Sequence, residues 1–371
     1  MESKVKWVRL GDYISPRNER NSDFRYGVEL IEGVNSDGEF QPTKAITDGI
    51  DLKPYKAVWP GDIVYNPSRL NIGSLAYRES GMCIVSHLYQ VFHVKEEFKN
   101  ELLPEFLLIW FKRDEFSRIV DYYNYGSQRA EFNLKKLGEL IIPLPSLSEQ
   151  QKVVNAWKAF REIKEQNEAK AAPLMQLCQS YIQELKHKYP AQEIGPYIEE
   201  SNERNKNGYF GADALMGVCS EGTFIKSIAN TSSLVFNNYK IVHRGDFAYS
   251  NRINVGSIAL RYDDDCIISP SYAVFRIKNE CRDKLLNEYL AIWFRRAEFL
   301  RATLFFAFGT IKDDFSHREM CRVKMPIPPL DVQCAIVNIY KCANEAKQIA
   351  AEADRLSREV CPALLQHVIN S

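Results

Sequence analysis

The sequence lacks the features that mark membrane proteins and secreted proteins. No apolar run approaches the roughly 20 residues that a membrane helix needs, and the N-terminal segment has no apolar core of a signal peptide. The 48 basic and 48 acidic side chains give a formal net charge of zero, so the overall charge does not indicate a polyanionic partner such as DNA. We therefore expect a cytoplasmic protein without a membrane partner.

Cysteine and histidine show none of the spacings that metal or disulfide chemistry requires. The nine cysteines contain no Cys-x-x-Cys pair, and none of the six histidines is placed as in a zinc finger. Neither a disulfide framework nor a metal site is therefore expected. Free thiols in this number are typical of the reducing cytosol.

Phosphate-binding and catalytic motifs are absent as well. No Gly-Lys pair occurs, which excludes a Walker A loop, and no Gly-x-Gly-x-x-Gly follows a predicted strand. The histidines show no catalytic triad pattern. Asn66-Pro67-Ser68 lacks the second proline and the aromatic residue of the Asn-Pro-Pro-aromatic motif of adenine methyltransferases, so we interpret it as a turn. The sequence predicts a non-catalytic protein that needs no cofactor.

What the chain does contain is an internal duplication. The segment Pro143–Val154 reads PLPSLSEQQKVV, and a related segment, PIPPLDVQCAIV, occupies Pro326–Val337 in the second half of the chain. Proline holds the chain extended and disfavours helix in the residue before it. Each copy therefore predicts the point at which a strand ends and a long helix begins.

The duplication extends upstream of both junctions. Three further pairs of segments match at almost the same displacement as the junctions: Asn18–Asn21 (Asn-Glu-Arg-Asn) with Asn202–Asn205, Trp59–Tyr65 with His243–Tyr249, and Ser68–Ser74 with Asn251–Ser257. Each half also contains a predicted apolar helix that leads into an aromatic cluster and a glycine, at 122–126 and 305–309. We interpret both clusters as core packing. The chain is thus a tandem repeat.

A polar segment rich in lysine and glutamate follows each junction. In the first, a stripe with steps of three and four carries the apolar residues Val153, Trp157, Phe160, Ala171, Leu174, Cys178, Tyr181 and Leu185, and polar Lys164 and Asn167 occupy its middle. In the second, with one register break, apolar residues recur at Ile336, Tyr340, Ala343, Ile349, Ala353, Leu356, Val360 and Leu364. Such a narrow seam predicts a coiled-coil helix. Pro173 and Pro362 fall inside the two patterns and predict a kink or a break.

These patterns predict an α+β chain with two globular domains of mixed α/β structure. Two long helices separate the domains and pack antiparallel as a coiled coil, under a pseudo-twofold axis. The expected boundaries are 1–146 for the first domain, 147–189 for the central helix, 190–329 for the second domain and 330–371 for the C-terminal helix.

Matching loops in the two halves carry side chains suited to DNA. Arginine and asparagine can contact guanine and adenine edges through paired hydrogen bonds, and each half has Arg-x-Asn before a Gly-Ser. The loops after the aromatic clusters add further donors. The candidate DNA-binding residues are Arg69, Asn71, Ser74, Gln128, Arg129, Arg252, Asn254, Ser257 and Lys312. The alternative is that these are solvated loop residues or make internal hydrogen bonds.

The whole chain resembles the specificity (S) subunit of type I restriction-modification systems. The resemblance rests on PLPSLSEQQKVV and its copy, on the long polar helices after them, and on the Gly-Ser or Gly-Thr loops upstream. It implies two target-recognition domains, each reading one half of a bipartite double-stranded DNA site, and no active site. It also implies that the helices set the spacing between the half-sites and bind two modification (methyltransferase) subunits, in a complex that can include restriction subunits.

The apolar seams are the candidate partner-binding surface. The residues that we expect to take part are Trp157, Phe160, Leu174, Leu185, Ile349, Leu356 and Val360. The second junction departs from the family pattern, because Val332 and Cys334 stand where the first has Glu149 and Gln151.

Two alternatives stay open at this point. The chain could be the recognition subunit of a related methylation or phage-defence system without the type I motor. It could also be a duplicated coiled-coil scaffold that never contacts DNA.

Overall fold

A computed structural model describes residues 5–43, 46–124, 131–228, 230–231, 234–250, 258–307 and 315–370, with the backbone alone for 305–307. The chain divides into two compact units. The first comprises Met1–Gln166 and Ile349–Ser371, and the second comprises Asn167–Gln348. Within the described ranges, no helix is both long and apolar enough to cross a membrane.

In its described residues, the first unit contains short antiparallel strands and four short helices, besides its parts of two long helices. The strands are β1 (Lys6–Arg9), β2 (Ile14–Pro16), β3 (Glu32–Val34), β4 (Phe40–Pro42), β5 (Lys56–Val58), β6 (Asp62–Tyr65), β7 (Leu75–Tyr77), β8 (Cys83–Val85), β9 (Gln90–Val94) and β10 (Ile141–Leu144). The helices are α1 (Leu10–Tyr13), α2 (Pro104–Phe111), α3 (Asp114–Asn124) and α4 (Leu134–Gly138). Four strands form a sheet in the order β2-β9-β6-β7, and the rest pair as β1-β10, β3-β4 and β5-β8.

Two long helices follow the two junctions: α5 (Leu147–Lys188) and, at the C-terminus, α9 (Leu330–Asn370). They begin where the prolines of each junction end the preceding strand, as predicted. Both continue through the internal prolines Pro173 and Pro362. Of the predicted kink or break, the break does not occur, because buried residues on both sides of each proline hold the helix where one backbone hydrogen bond is lost.

The second unit repeats the first, except that a 3-10 turn, Gly195–Tyr197, stands in the place of α1. Its strands are β11 (Ala191–Glu193), β12 (Ile198–Glu200), β13 (Met216–Val218), β14 (Phe224–Lys226), β15 (Lys240–Val242), β16 (Phe247–Ser250), β17 (Ile258–Leu260), β18 (Cys266–Ile268), β19 (Tyr272–Ile277) and β20 (Lys324–Pro326). Its shorter helices are α6 (Asn287–Phe294), α7 (Ala297–Ala307) and α8 (His317–Cys321). The four-stranded sheet has the order β12-β19-β16-β17, which matches the first unit, and β11-β20, β13-β14 and β15-β18 pair separately.

The α+β fold with duplicated units and two long helices is therefore confirmed. In the first unit α2 begins at Pro104, where a missing N–H costs nothing, and every residue from Phe106 to Phe111 is buried. The predicted apolar helix is thus buried on all sides, since it lies between the sheet and α3. In the second unit α6 is buried in the same way.

Each unit pairs one part of α5 with one part of α9, in antiparallel orientation. In the first unit Trp157 shares a core cluster with Leu365, and farther along α5 the Lys164 ammonium lies 3.2 Å from Asp354. In the second unit Cys178 near the end of α5 contacts the carbonyl of Ile336 near the start of α9.

The helix seam departs from the prediction on α9. Ile336, Ala343 and Ala353 are buried as predicted, but Ile349 and Val360 are exposed. The buried face instead runs through small residues, at Ala346, Ala350, Ala353 and Cys361. Alanine lets two helix backbones approach more closely than a branched side chain does. The larger apolar residues are consequently left on an outer face.

A buried glutamine ties each junction to the rest of its unit. The side chain of Gln150 is fully buried, accepts a hydrogen bond from the Leu103 backbone N–H (2.9 Å), and donates to the carbonyls of Glu101 (2.7 Å) and Pro145 (2.9 Å). Gln333 in the second unit makes the same three contacts with Leu286, Lys284 and Pro328. One amide thus holds a strand exit, a long helix and the helix packed on the sheet.

We expect Gln150→Leu to lower the free energy of unfolding by about 3 kcal/mol, because three hydrogen bonds are lost and the Leu103 N–H stays buried without a partner. The matched control is the neighbouring Gln151→Leu. The Gln151 side chain is exposed, and its amide donates a hydrogen bond to the Asn155 side chain one turn along the helix. Urea unfolding of both variants checks this. An equal loss in the two variants would show that the buried amide has no special role.

Candidate nucleic-acid interface

Several connections leave the first unit at one end of its sheets, the end at which β9 begins. Tyr65, the last residue of β6, pairs with Gln90, the first residue of β9. The chain that leaves β2 passes this same point, because the Arg17 N–H donates to the Val91 carbonyl. The loop 66–74 and the segment after Arg17 therefore emerge at one edge of the unit. This edge carries three of the predicted DNA-binding residues, Arg69, Asn71 and Ser74.

The loop 66–74 is held in one conformation by contacts on several sides. A short 3-10 turn, Leu70–Ile72, packs on α3. Gly73 ends the turn with φ 93°, a conformation that favours glycine. The Phe132 N–H donates to the Pro67 carbonyl at 3.0 Å. The loop is thus a fixed part of the unit.

The three predicted residues of this loop have different surroundings. Arg69 is exposed, and within the described residues its guanidinium forms no hydrogen bond or ion pair. Asn71 donates to the Asp121 carboxylate on α3 at 2.9 Å, which leaves its carbonyl oxygen and one N–H for another partner. Ser74 is buried and donates to the Val34 carbonyl at 2.9 Å, so its hydroxyl holds the loop from inside.

Aromatic side chains lie close to this loop on α3. Tyr122 is 79% exposed and Tyr123 is about half exposed, although the sequence suggested that the cluster 122–126 packs in the core. That interpretation is wrong for these two residues, because α3 presents its last turn to solvent beside the Asp121–Asn71 hydrogen bond. The exposed surface of this edge therefore combines an unpaired arginine with tyrosine rings.

The remaining predicted DNA-binding residues lie outside the part of the chain that the structure describes. They are Gln128, Arg129, Arg252, Asn254, Ser257 and Lys312. In the second unit the strand before the equivalent loop is described: β16 ends at Ser250, which pairs with Tyr272 at the start of β19. The sheet end that carries the loop is thus built in the same way in both units.

A buried carboxylate stabilises the strand that leads to each loop, and sequence reasoning missed it. Asp62 at the start of β6 is buried and lies 2.6 Å from Arg17. Asp246, directly before β16, lies 2.9 Å from Arg276. Burial raises the pKa of both carboxyl groups, while hydrogen bonds from backbone N–H groups and the arginines oppose that rise. The signal in the sequence was the repeated Gly-Asp pair (Gly61-Asp62 and Gly245-Asp246), because an aspartate at the start of an apolar strand cannot contribute to apolar packing.

The arginine that pairs with this aspartate comes from a different strand in each unit. Arg17 directly follows β2, and the residue that directly follows the equivalent strand β12 is Ser201. Arg276 lies on β19, and its equivalent in the first unit is His93 on β9, which stands opposite Asp62 in the sheet. An arginine thus balances the buried aspartate in both units, although it comes from a different position in the sheet.

Across the described ranges, no group of three or more histidine, cysteine, aspartate or glutamate side chains could hold a metal ion. The arrangement at the sheet end can donate hydrogen bonds, stack on flat rings and attract phosphate. These are the contacts of a nucleic-acid surface.

Comparison with known proteins finds a family model and solved structures that are similar to this chain. Residues 18–172 match the model of the type I restriction modification DNA specificity domain. No curated protein matches the chain. Among solved structures, the S subunit of a type I restriction-modification system from M. genitalium is similar, with 13% identity, a TM-score of 0.63, and coverage of 99% of this chain and 97% of that one. The HsdS subunit from Thermoanaerobacter tengcongensis is 18% identical with a TM-score of 0.42, and covers 100% of this chain and 98% of its own.

We expect Gly73→Ala to destabilise the first unit more than Gly61→Ala does. Both glycines have φ above 90°, so both substitutions carry a backbone cost of about 1–2 kcal/mol. At Gly73 the added Cβ would also lie 2.3 Å from the Ser36 carbonyl oxygen, whereas at Gly61 it meets nothing within 4 Å. Thermal unfolding of the two variants measures the difference. Equal midpoints would mean that the loop yields to the clash.

Proposed function

We propose that this chain is a DNA specificity subunit of the type I restriction-modification kind, and that each of its two units reads one half of a bipartite double-stranded DNA target. The observation that carries this proposal is the edge with Arg69, Asn71 and Tyr122. An arginine with no partner among the described residues of its unit, on a loop fixed by internal contacts, is prepared to contact a ligand without reorganisation.

Each residue at this edge supports a different kind of DNA contact. Arg69 can donate two hydrogen bonds to a guanine edge in the major groove, or bind a phosphate. Asn71 is oriented by Asp121 and keeps one donor and one acceptor, the pair that an adenine edge requires. We further propose that Gln128 and Arg129 contact DNA in the first unit, and that Arg252, Asn254, Ser257 and Lys312 do so in the second.

The chain's partners, in this proposal, are two modification subunits together with restriction subunits. The chain supplies recognition, and catalysis belongs to the partners. The neutral net charge supports this division. Phosphate contacts give most of the salt-dependent affinity for DNA, and the modification subunits can provide many of them.

We propose an outer face of α9 as a surface for a modification subunit. Of the residues expected to bind partners, Trp157 and Leu185 are buried in the cores of their own units. Phe160 and Leu174 are partly buried. Ile349 and Val360 are exposed and Leu356 is half-buried, and the three recur at steps of seven and four on one side of the helix. An apolar stripe on a coiled-coil helix fits an amphipathic segment of another subunit.

We expect Arg69→Ala to weaken binding of the assembled complex to its target DNA. If Arg69 reads a base, the loss is about 1–3 kcal/mol and specificity relaxes at one position of one half-site. If it binds phosphate, affinity falls evenly across sequences and the slope of log K against log salt falls by about one. Affinities for matched and singly mismatched duplexes at two salt concentrations distinguish these cases.

The matched control for Arg69 is Lys99→Ala. Lys99 is exposed and follows β9 at the opposite end of the sheet, where it pairs with Glu96. Its removal should leave DNA binding unchanged. If Arg69→Ala binds like the wild-type protein at both salt concentrations, this loop does not contact DNA and the proposal for the first unit fails.

We expect the double substitution Ile349→Lys and Val360→Lys to disrupt binding of the modification subunit without unfolding the chain. Burying each of these side chains contributes about 1.5–3 kcal/mol to association, and a charge at both positions opposes it. Co-purification of the two subunits measures the effect. The control is Ile225→Lys, because Ile225 on β14 is 47% exposed, close to the 48% of Ile349. Normal co-purification of the double variant would exclude this face.

A further inference from the structure

The repeated Asn-Glu-Arg-Asn motif closes a loop in each unit, and neither loop contains any of the DNA-binding residues proposed above. In the first unit Asn21 is buried, and its side chain donates to the Tyr26 carbonyl (2.8 Å) and accepts from the Tyr26 N–H (3.1 Å). Asn205 in the second unit makes the same two hydrogen bonds with Phe210, at 2.8 and 3.1 Å. One asparagine therefore closes a short loop in each unit. We name these loops, 22–25 and 206–209, the fingers.

Each finger presents an aromatic side chain to solvent. Phe24 is 59% exposed in the first unit, and Tyr209 is 86% exposed in the second. Basic residues accompany both rings. Lys53 lies 5.6 Å from the centre of the Phe24 ring, Arg25 is exposed next to it, and the second finger contains Lys206.

Phe24 occupies a position whose backbone conformation disfavours a side chain. Its φ is +51°, which is unfavourable for a bulky residue and makes it the one non-glycine with positive φ among the described residues. The equivalent residue in the second unit is Gly208, with φ +67° and open space around its Cβ position. The closed loop thus demands this backbone conformation, and glycine meets the demand without strain. A strained aromatic in its place points to a role outside the unit.

The first finger emerges at the same end of the sheets as the Arg69 loop. The Glu19 carbonyl accepts from the Ala57 N–H and the Asn21 N–H donates to the Tyr55 carbonyl, so this segment runs along the start of β5. Lys56 at that point donates to the Tyr89 carbonyl, directly before β9 begins at Gln90. This is the end at which β6 leads into the loop 66–74.

We infer that the fingers are a second DNA contact in each unit, with Phe24 and Tyr209 packed against bases or sugars in a groove and the adjacent lysine and arginine near phosphate. The inference rests on the proposed function, because it takes double-stranded DNA as the ligand. Apolar and aromatic side chains that enter a groove read the shape of the duplex and can widen a base step. A fixed finger loses little entropy on binding.

The test is Phe24→Gly in the full-length chain assembled with its modification subunits. The probe is a fluorescent duplex selected from a random-sequence pool by the wild-type complex. We expect affinity to fall roughly 5- to 100-fold, the range for losing one aromatic contact to a base, while the thermal midpoint does not fall, since glycine relieves the strain. Phe24→Tyr should restore binding. Trp7→Ala, which removes another exposed aromatic of this unit, should have no effect.

A photoreactive benzoyl-phenylalanine at position 24 gives a direct readout. It should cross-link to the duplex, and the same group at position 7 should not. Cross-linking from position 24 to a modification subunit instead, or wild-type affinity of Phe24→Gly, would overturn the inference. Arg69→Ala in the same assay separates the two proposals. If it weakens binding while Phe24→Gly does not, the finger inference fails and the proposed function stands.

Discussion

In each unit one buried side-chain amide, that of Gln150 or Gln333, connects three segments of the chain. Each amide satisfies one backbone donor and two backbone acceptors at the place where a strand exit, the first turn of a long helix and the start of an apolar helix meet. Those backbone groups are in the interior, where an unpaired one costs about 1–3 kcal/mol. Glutamine alone among uncharged side chains has the length and both functions needed at this point.

The second junction keeps this contact although the residues around it have changed. Val332 replaces Glu149 and Cys334 replaces Gln151, yet Gln333 makes the same three hydrogen bonds as Gln150. Val332 packs on the core of its unit, and Cys334 is exposed. The two helix starts are therefore fixed equivalently inside the chain, and their outward surfaces differ.

Elsewhere the duplicated units keep an interaction while exchanging the residues that make it. In the first unit the indole N–H of Trp59 donates to Glu19 at 2.9 Å. In the second, His243 takes the place of Trp59 and bonds to Glu203 and Asp265. Burial lowers the pKa of His243, but the two carboxylates outweigh it and raise the pKa above its ordinary value. The same frame thus carries a neutral contact in one unit and an ionisable one in the other.

Rigid internal contacts leave a few side chains free at the sheet end of the first unit. Ser74 and Asn21 direct their side-chain hydrogen bonds to the backbone, and the loops that they fix present Arg69 and Phe24 to solvent. Such a division suits the proposed function, in which the two units read different half-sites. The buried residues preserve the shape, and exposed residues can change without destabilising it.

The duplication, the α+β class and the starts of α5 and α9 can be read from the amino-acid sequence, because proline and apolar periodicity act locally. Tertiary packing decided what local rules cannot see. It kept the helices intact through Pro173 and Pro362, and it left Ile349 and Val360 outside because alanines allow closer helix packing. It also sorted the predicted loop residues, burying Ser74 and leaving Arg69 exposed. Exposure and hydrogen-bond partners depend on residues distant in the chain, and no local pattern encodes them.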